Sequence, residues 1–320
     1  MSAAIPALYL SEQDLAGLGI SPGDVADCIE GALGDQAAGR LWTVPKSALM
    51  PGDGRYLMTT LSVGDGPGLT VVKVAMVSPR NPARGLPGIE SSILLLDAET
   101  GEMRATMGGK WITQVRTAGL CAVMARRLAN PDAHEIAFIG CGAQARSHLE
   151  AFGAMFPLAR ARLVGRGQAN IDRLVAACTA RGLDAEVCTP REAIEGADLV
   201  VTSITLDHGV APFLDARWLK PGGFAAITDL GIPWVDAGMT ALDAAFVDDR
   251  AQEAESGTPM IDPALICGDL AEVVTGAVPA AFDPGKRQAF LFRGVAIGDF
   301  AVAALAYDRA VGAGVGQRLG

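Results

Sequence analysis

In the stretch "EIAFIGCGAQARSHLEAF", a short β-branched apolar run meets a glycine turn and continues as an alanine-rich segment. Gly140-Cys-Gly142-Ala143-Gln144-Ala145 fits G-x-G-x-x-A. In that pattern the first glycine permits a tight turn and the second lets backbone approach a pyrophosphate. The small third position allows close helix–sheet packing, and the helix N-terminus receives the phosphate charge. The pattern is weak by itself, and its place between a strand and a helix gives it meaning. It marks Gly140, Gly142, Ala143, Gln144 and Ala145 as cofactor-binding; the alternative is a scaffold of this shape that has lost its ligand. At the end of the next strand an acid would hold a ribose 2′-hydroxyl. The sequence offers Gly165-Arg166-Gly167-Gln168 instead, which leans towards a 2′-phosphate unless Arg166 stacks on the adenine.

Four further positions carry charge where charge needs a reason. Lys73 lies inside the apolar run "LTVVKVAMV", where an ammonium is costly unless it is paired, functional or at an edge. Arg116 lies in "ITQVRTAGLCAVMARRLANP", which reads as a helix with Thr113 as N-cap and Asn130-Pro131 as the stop. In a first turn, its guanidinium and the helix's positive end together suit a carboxylate. Arg80 and Arg84, in the Pro/Gly-rich "SPRNPARGLPG", are either solvated or, if turned inward, a bidentate site for a second carboxylate. His148 falls on the helix after the glycine turn, and His134 and His208 fall in loops. None has an acid at ligand spacing, so no metal site is expected.

The elements that must position these residues fall into two groups. From Glu135 onward "EIAFIG", "RARLVGR", "DAEVCT", "DLVVTSIT", "GGFAAITDL" and "AAFVDD" read as short strands. Between the first of them lie segments with helical spacing, so the pattern is α/β: a doubly wound parallel sheet of the Rossmann type over residues 121–294. Asp229 then falls at the carboxyl end of a strand, where it can line the ligand crevice. Residues 1–120 read as a meander of strands, "LWTVPK", "RYLMTTLSV", "LTVVKVAMV" and "SSILLLDAETGEMRATMGG", with turns at "GDGPG" and "AETGE". The helix in "GVAIGDFAVAALAYDRAVGAG" (within 295–320) needs a partner for its apolar face and is expected to return to this first, α+β domain.

Composition narrows the class. The net charge of −10 excludes a general nucleic-acid binder, which needs clustered Lys and Arg. The six cysteines show neither a CxxC pair nor a zinc spacing and read as free thiols of a reducing cytoplasm. The start "MSAAIPALYLSEQDL" lacks the basic and apolar regions of a signal peptide, and Asp299 breaks the most apolar run below membrane length.

The segment "MGGKWITQVRTAGLCAVMARRLANPDAHEIAFIGCGAQARSHLEAF" resembles the ornithine cyclodeaminase/μ-crystallin family. It has the G-x-x-[IL]-T-x-x-R-T-A helix followed by G-x-G-x-Q-A. The resemblance extends through "VVKVAMVSPRN", "LLLDAETGEMRA", "ADLVVTSIT", "KPGGFAAI", "GDLAEVVTG" and "FRGVAIGDFAVAALAYDRA". It implies a substrate-binding and dimerisation domain completed by the C-terminal helix, a Rossmann domain binding NAD or NADP, and a homodimer acting on a small imino or amino acid. Members include ornithine and lysine cyclodeaminases, alanine dehydrogenases, ketimine reductases and hormone-binding μ-crystallins.

Carried over position by position, the resemblance makes Arg116 the holder of the substrate α-carboxylate and Lys73 the catalytic lysine. It puts Ser203, Thr205 and Gly294 on the nicotinamide side. A second carboxylate-binding arginine aligns with Arg40, although a gap lets Lys46 compete. The catalytic aspartate of the cyclodeaminases falls on Gly231, with Asp229 two positions early, so cyclodeamination is disfavoured. The chain as a whole is similar to bacterial iminosuccinate reductases, which use NADH. The expected activity is therefore imine reduction, iminosuccinate to L-aspartate first, with alanine dehydrogenase, cyclic ketimine reductase and a non-catalytic binding protein as alternatives.

Overall fold

The computed structural model describes residues 7–207 and 209–319; His208, read above as a loop residue, lies outside them. The chain divides into two compact units, Met1–Arg116 with Val295–Gly320, and Thr117–Gly294.

The first unit opens with β1 (Ala7–Leu10), α1 (Glu12–Ala16) and α2 (Pro22–Ala37). Both helices start on a serine whose hydroxyl accepts from the third helical amide, while the aspartate there, Asp14 or Asp24, returns the bond. The meander follows as β2 (Leu41–Leu49), β3 (Tyr56–Gly64), β4 (Leu69–Val77), β5 (Ile89–Asp97) and β6 (Met103–Gly108). α3 (Lys110–Leu128) leads out of the unit.

The second unit holds β7 (Glu135–Ile139), α4 (Ala143–Gly153), β8 (Arg160–Val164), α5 (Gln168–Ala180), β9 (Asp184–Val187) and α6 (Pro190–Gly196). It continues with β10 (Leu199–Thr202), β11 (Phe224–Ile227), α7 (Asp236–Met239), β12 (Ala244–Val247), α8 (Arg250–Glu255), β13 (Ile266–Asp269), α9 (Leu270–Val274) and β14 (Gln288–Leu291). The chain then re-enters the first unit with α10 (Ala296–Ala313) and β15 (Gln317–Leu319).

The first sheet runs β15-β1-β6-β5-β4-β3-β2. The antiparallel meander β2 to β6 follows the sequence pattern. β1, parallel to β6, and β15, antiparallel to β1, extend it. On β4, Leu69, Val71, Lys73 and Ala75 alternate inward. They stand opposite Gly64, Ser62, Thr60 and Met58 of β3. α10 packs on β3 and β4, and its Phe300 ring takes the place a side chain at Gly64 would occupy. On the alternate face, Trp42, Val44, Leu61 and Val74 stand exposed, Val74 at 48% and Trp42 at 49%.

α3 begins three residues before Thr113, so the expected cap is corrected. The Glu12 carboxylate accepts from the Lys110 and Trp111 amides at 2.8 Å each. Thr113 is an interior residue whose amide donates to the Gly109 carbonyl. Arg116 therefore sits in the second turn, beyond the end where the helix dipole acts strongly.

The second sheet is wholly parallel, in the order β13-β12-β14-β11-β10-β7-β8-β9. The chain runs outward from β7 to β8 and β9, then returns to place β10 on the other side of β7. That reversal is the switch point beside which doubly wound sheets bind ligands. β14 is inserted between β11 and β12 and is buried along its length. No helix of the described residues is long and apolar enough to cross a membrane.

Candidate active site

In the first unit, Lys73 and Arg116 meet on one carboxylate. Lys73 is 1% exposed and Arg116 is 7% exposed. The Lys73 ammonium lies 2.7 Å from the Asp299 carboxylate, and Arg116 Nε lies 3.0 Å from Asp299 Oδ1. The Thr60 hydroxyl, opposite Lys73 in the ladder, donates to Asp299 Oδ2 at 3.1 Å. β4, β3, α3 and α10 each contribute one group. Burial and the neighbouring guanidinium pull the Lys73 ammonium down to about 8. Burial pushes the Asp299 carboxyl up, but Arg116 and Lys73 outweigh it and hold the acid below its usual range. Two cations share one acid, so the cluster keeps a net positive charge suited to a carboxylate.

The arginines proposed to add to this site do not reach it. Arg40 is an exposed partner of Asp35 at 2.6 Å, and Arg80 an exposed partner of Asp53 at 2.9 Å. Arg84 is also exposed, so the inward reading of Arg80 and Arg84 is corrected: a Pro/Gly loop leaves their heads in water. Lys46 repels the Lys73 ammonium too, more weakly than Arg116 does. Pro45, with no amide to give the ladder, lies with Lys46 in a bulge between the paired residues Val44 and Ser47 of edge strand β2. Thr60, the neighbour of Lys73, faces that bulge.

In the second unit the residues expected to bind a cofactor gather at the carboxyl edge of the sheet. Gly140 ends β7 at φ +101, and a Cβ there would lie 2.5 Å from the Ser203 carbonyl oxygen. The first glycine therefore serves the close approach of the β7 and β10 turns. Gly142 is the N-cap of α4, gives no side-chain cap, and a Cβ on it would meet nothing within 4 Å. A dinucleotide's pyrophosphate fits there, against uncapped helix amides and open space. Ala145 is fully buried, as close helix–sheet packing requires. Arg146, which the sequence reading passed over, donates to the Gly142 carbonyl at 3.2 Å and adds positive charge to the turn. Arg166 is exposed past the end of β8, with no acid beside it in sequence.

Asp229 takes a supporting place. It is fully buried, accepting from the Thr202 hydroxyl at 2.9 Å and the Ile204 amide at 3.1 Å. Both oxygens are thus used to fix the chain on either side of Ser203, and burial pushes the acid up to about 6. Ser203 is half-buried and Thr205 exposed. Gly231 has φ +73, and a Cβ there would come within 2.8 Å of the Met260 carbonyl. The position on which the resemblance places the cyclodeaminase aspartate is therefore strained and crowded for any side chain here. Gly294, at φ +107, donates its amide to Asp248 at 2.6 Å and accepts from the Gln252 amide at 3.1 Å. His148 is buried, pushed down to about 4 by burial, and bonded to the Gln144 carbonyl; it is a neutral core residue. Among the described residues no cluster of His, Cys, Asp and Glu is placed to hold a metal.

Known proteins share this architecture. The ketimine reductase mu-crystallin of Mus musculus is 33% identical over 228 residues, 70% of each chain. The structure of Thermococcus litoralis Δ1-pyrroline-2-carboxylate reductase in complex with NADH and L-proline superposes with a TM-score of 0.88 at 25% identity, covering 98% of this chain and 100% of that one. The iminosuccinate reductase of Paracoccus denitrificans in complex with NAD+ gives a TM-score of 0.83 at 22% identity, over 99% and 100% of the two chains, and shares the fold. The model of the ornithine cyclodeaminase/mu-crystallin family matches residues 10–314, and the chain belongs to that family.

Proposed function

We propose that the protein is an NADH-dependent reductase that converts a small 2-imino carboxylate into the L-amino acid. The observation that carries this is the buried Lys73–Asp299–Arg116 cluster, a carboxylate site that contains its own proton donor. Arg116 binds the α-carboxylate of the substrate. Lys73, titrating near 8, is charged at neutral pH yet able to release a proton to the substrate nitrogen as the imine carbon is reduced. The bound nicotinamide supplies the hydride. Gly140, Gly142 and the first amides of α4 seat the pyrophosphate. Ser203, Thr205 and Gly294 flank the nicotinamide, and Asp229 holds the Ser203 segment in place. Gly231 removes the acid that amine attack would need, which favours reduction over cyclodeamination.

The substrate favoured is a cyclic monocarboxylate ketimine of the Δ1-pyrroline-2-carboxylate class, because the reductase from Thermococcus litoralis and the mouse ketimine reductase are among the relatives. With Arg80 and Arg84 at the surface, the support for a dicarboxylate passes to Lys46. Its place in the β2 bulge facing Thr60, the ladder partner of Lys73, favours a second reading, reduction of iminosuccinate to L-aspartate. The test is NADH and NADPH oxidation, side by side, with Δ1-pyrroline-2-carboxylate, with oxaloacetate plus ammonia and with pyruvate plus ammonia. Turnover of the pyrroline with NADH is expected. Turnover of oxaloacetate alone selects the second reading, and pyruvate alone an alanine dehydrogenase. Silence with all three returns the protein to a ligand-binding role.

The exposed apolar face of the first sheet is covered, in this proposal, by a second copy of the chain. Trp42, Val44, Leu61 and Val74 are exposed on one face of the paired strands β2, β3 and β4, the kind of apolar grouping that marks an interaction surface. Sedimentation is expected to give twice the 32.9 kDa chain mass. The Leu61→Glu/Val74→Glu double variant should sediment as a monomer, and a wild-type monomer would overturn the assignment. The six cysteines, all free, support a reducing cytoplasmic setting.

A further inference from the structure

Asp299 has no role assigned to it above, yet it joins the two charged residues of the site. It lies 226 residues from Lys73 in sequence, on a helix whose residues from Ala296 to Ala303 are otherwise apolar and buried. A charge there is poor cement: buried ion clusters replaced by well-packed apolar residues are often no less stable. Its geometry answers a different need. One carboxylate takes the Lys73 ammonium at 2.7 Å and Arg116 Nε at 3.0 Å, while the Thr60 hydroxyl fixes its orientation at 3.1 Å.

We propose that Asp299 is the positioning residue of the reaction, which holds Lys73 in its charged, proton-donating form beside Arg116. This rests on the reductase reading. The charged groups around Lys73 are Arg116 of α3, Lys46 of β2 and Asp299 of α10, with the neutral Thr60 of β3. Burial and the two cations all disfavour the ammonium, and Asp299 alone favours it. Without that acid, Lys73 sheds its proton at lower pH and the donor is lost at neutral pH. Asp299 also stabilises Arg116 from the Nε side, so that the two cations approach one substrate carboxylate without repelling each other apart.

The experiment is the pH profile of kcat/KM for imine reduction in wild type, Asp299→Asn, Asp299→Glu and Thr60→Val. In the wild type the rate falls as pH rises through about 8, where Lys73 deprotonates. In Asp299→Asn this alkaline limb moves at least about one pH unit lower, so the variant is roughly fivefold or more slower at pH 8 and recovers most of the difference at pH 6. Asp299→Glu, which keeps the charge, retains the wild-type limb. Thr60→Val, which removes a hydrogen bond but no charge, slows the reaction without moving it. An Asp299→Asn profile lowered equally at all pH values overturns the proposal, as does a limb displaced equally in the Glu variant. NADH titration and thermal melting report whether each variant is folded. If the wild type reduces no imine, the reductase reading fails by itself. Calorimetric binding of pyruvate across the same pH range then tests Asp299: a binding midpoint lower in Asp299→Asn supports the role, and an unmoved midpoint overturns it.

Discussion

Replacing Arg116 with methionine should lower kcat/KM for the imine by about a thousandfold, while the affinity for NADH stays nearly unchanged. Arg116 is 7% exposed, so a substrate carboxylate that meets it is desolvated and depends on it for charge. Removing one partner of such a pair costs roughly 3–5 kcal/mol, and each 1.36 kcal/mol or so is about a factor of ten in rate. Methionine fills the space of the methylene stem, which limits the packing loss. Asp299 is not stranded, because Lys73 stays 2.7 Å away, so the variant should fold. Steady-state kinetics with a parallel NADH titration check it. Weakened NADH binding with normal imine kinetics would falsify the role given to Arg116.

The second large effect lies in the other unit. Gly140→Ala should lower the melting temperature of the protein markedly and weaken NADH binding at least tenfold. At φ +101 an alanine is strained by roughly 1–3 kcal/mol. Its Cβ would also press on the Ser203 carbonyl oxygen at 2.5 Å. That carbonyl cannot retreat cheaply, because the Ser203 amide is tied to Ile139 of β7 at 2.9 Å. A cost of about 3 kcal/mol corresponds to roughly 6–12 °C in a domain of this size. Gly142→Ala separates the two glycine roles. Its Cβ meets open space, so stability should hold while NADH affinity falls, because the methyl group enters the room a pyrophosphate needs. Equal melting temperatures for Gly140→Ala and wild type would contradict the close-approach role.

Periodicity made the meander β2 to β6 and the strands β7 to β12 legible, because each is a short apolar run between turn residues. β14 escaped notice because four residues buried on both faces have no alternation to display. β1 and β15 are strands of four and three residues whose signal is pairing with distant chain. Among the site residues, Lys73 stood out as a charge inside an apolar strand. Asp299 carried the same signal on α10 but was read only as a break in hydropathy. The link between the two is tertiary, and no local pattern carries it. Thr113 was a plausible cap by residue type, and Glu12 displaced it from nearly a hundred residues upstream. The surface placing of Arg40 and Arg80 followed from Asp35 and Asp53, whose nearness depends on turns that spacing alone does not specify.

The split origin of the first unit has a consequence for how the protein comes to exist. Thr117–Gly294 is one uninterrupted length of chain and can acquire its structure as soon as it leaves the ribosome, since domains made in one piece tend to fold as they emerge. The polypeptide before it has by then delivered Lys73 and Arg116, but the acid that both of them pair with is still unmade. Only when Val295–Gly320 is synthesised do α10 and β15 arrive, bringing Asp299 to the buried cations and the last strand to β1. A nascent chain halted before Val295 would therefore hold a complete Thr117–Gly294 unit and a first unit still lacking the acid that joins Lys73 and Arg116.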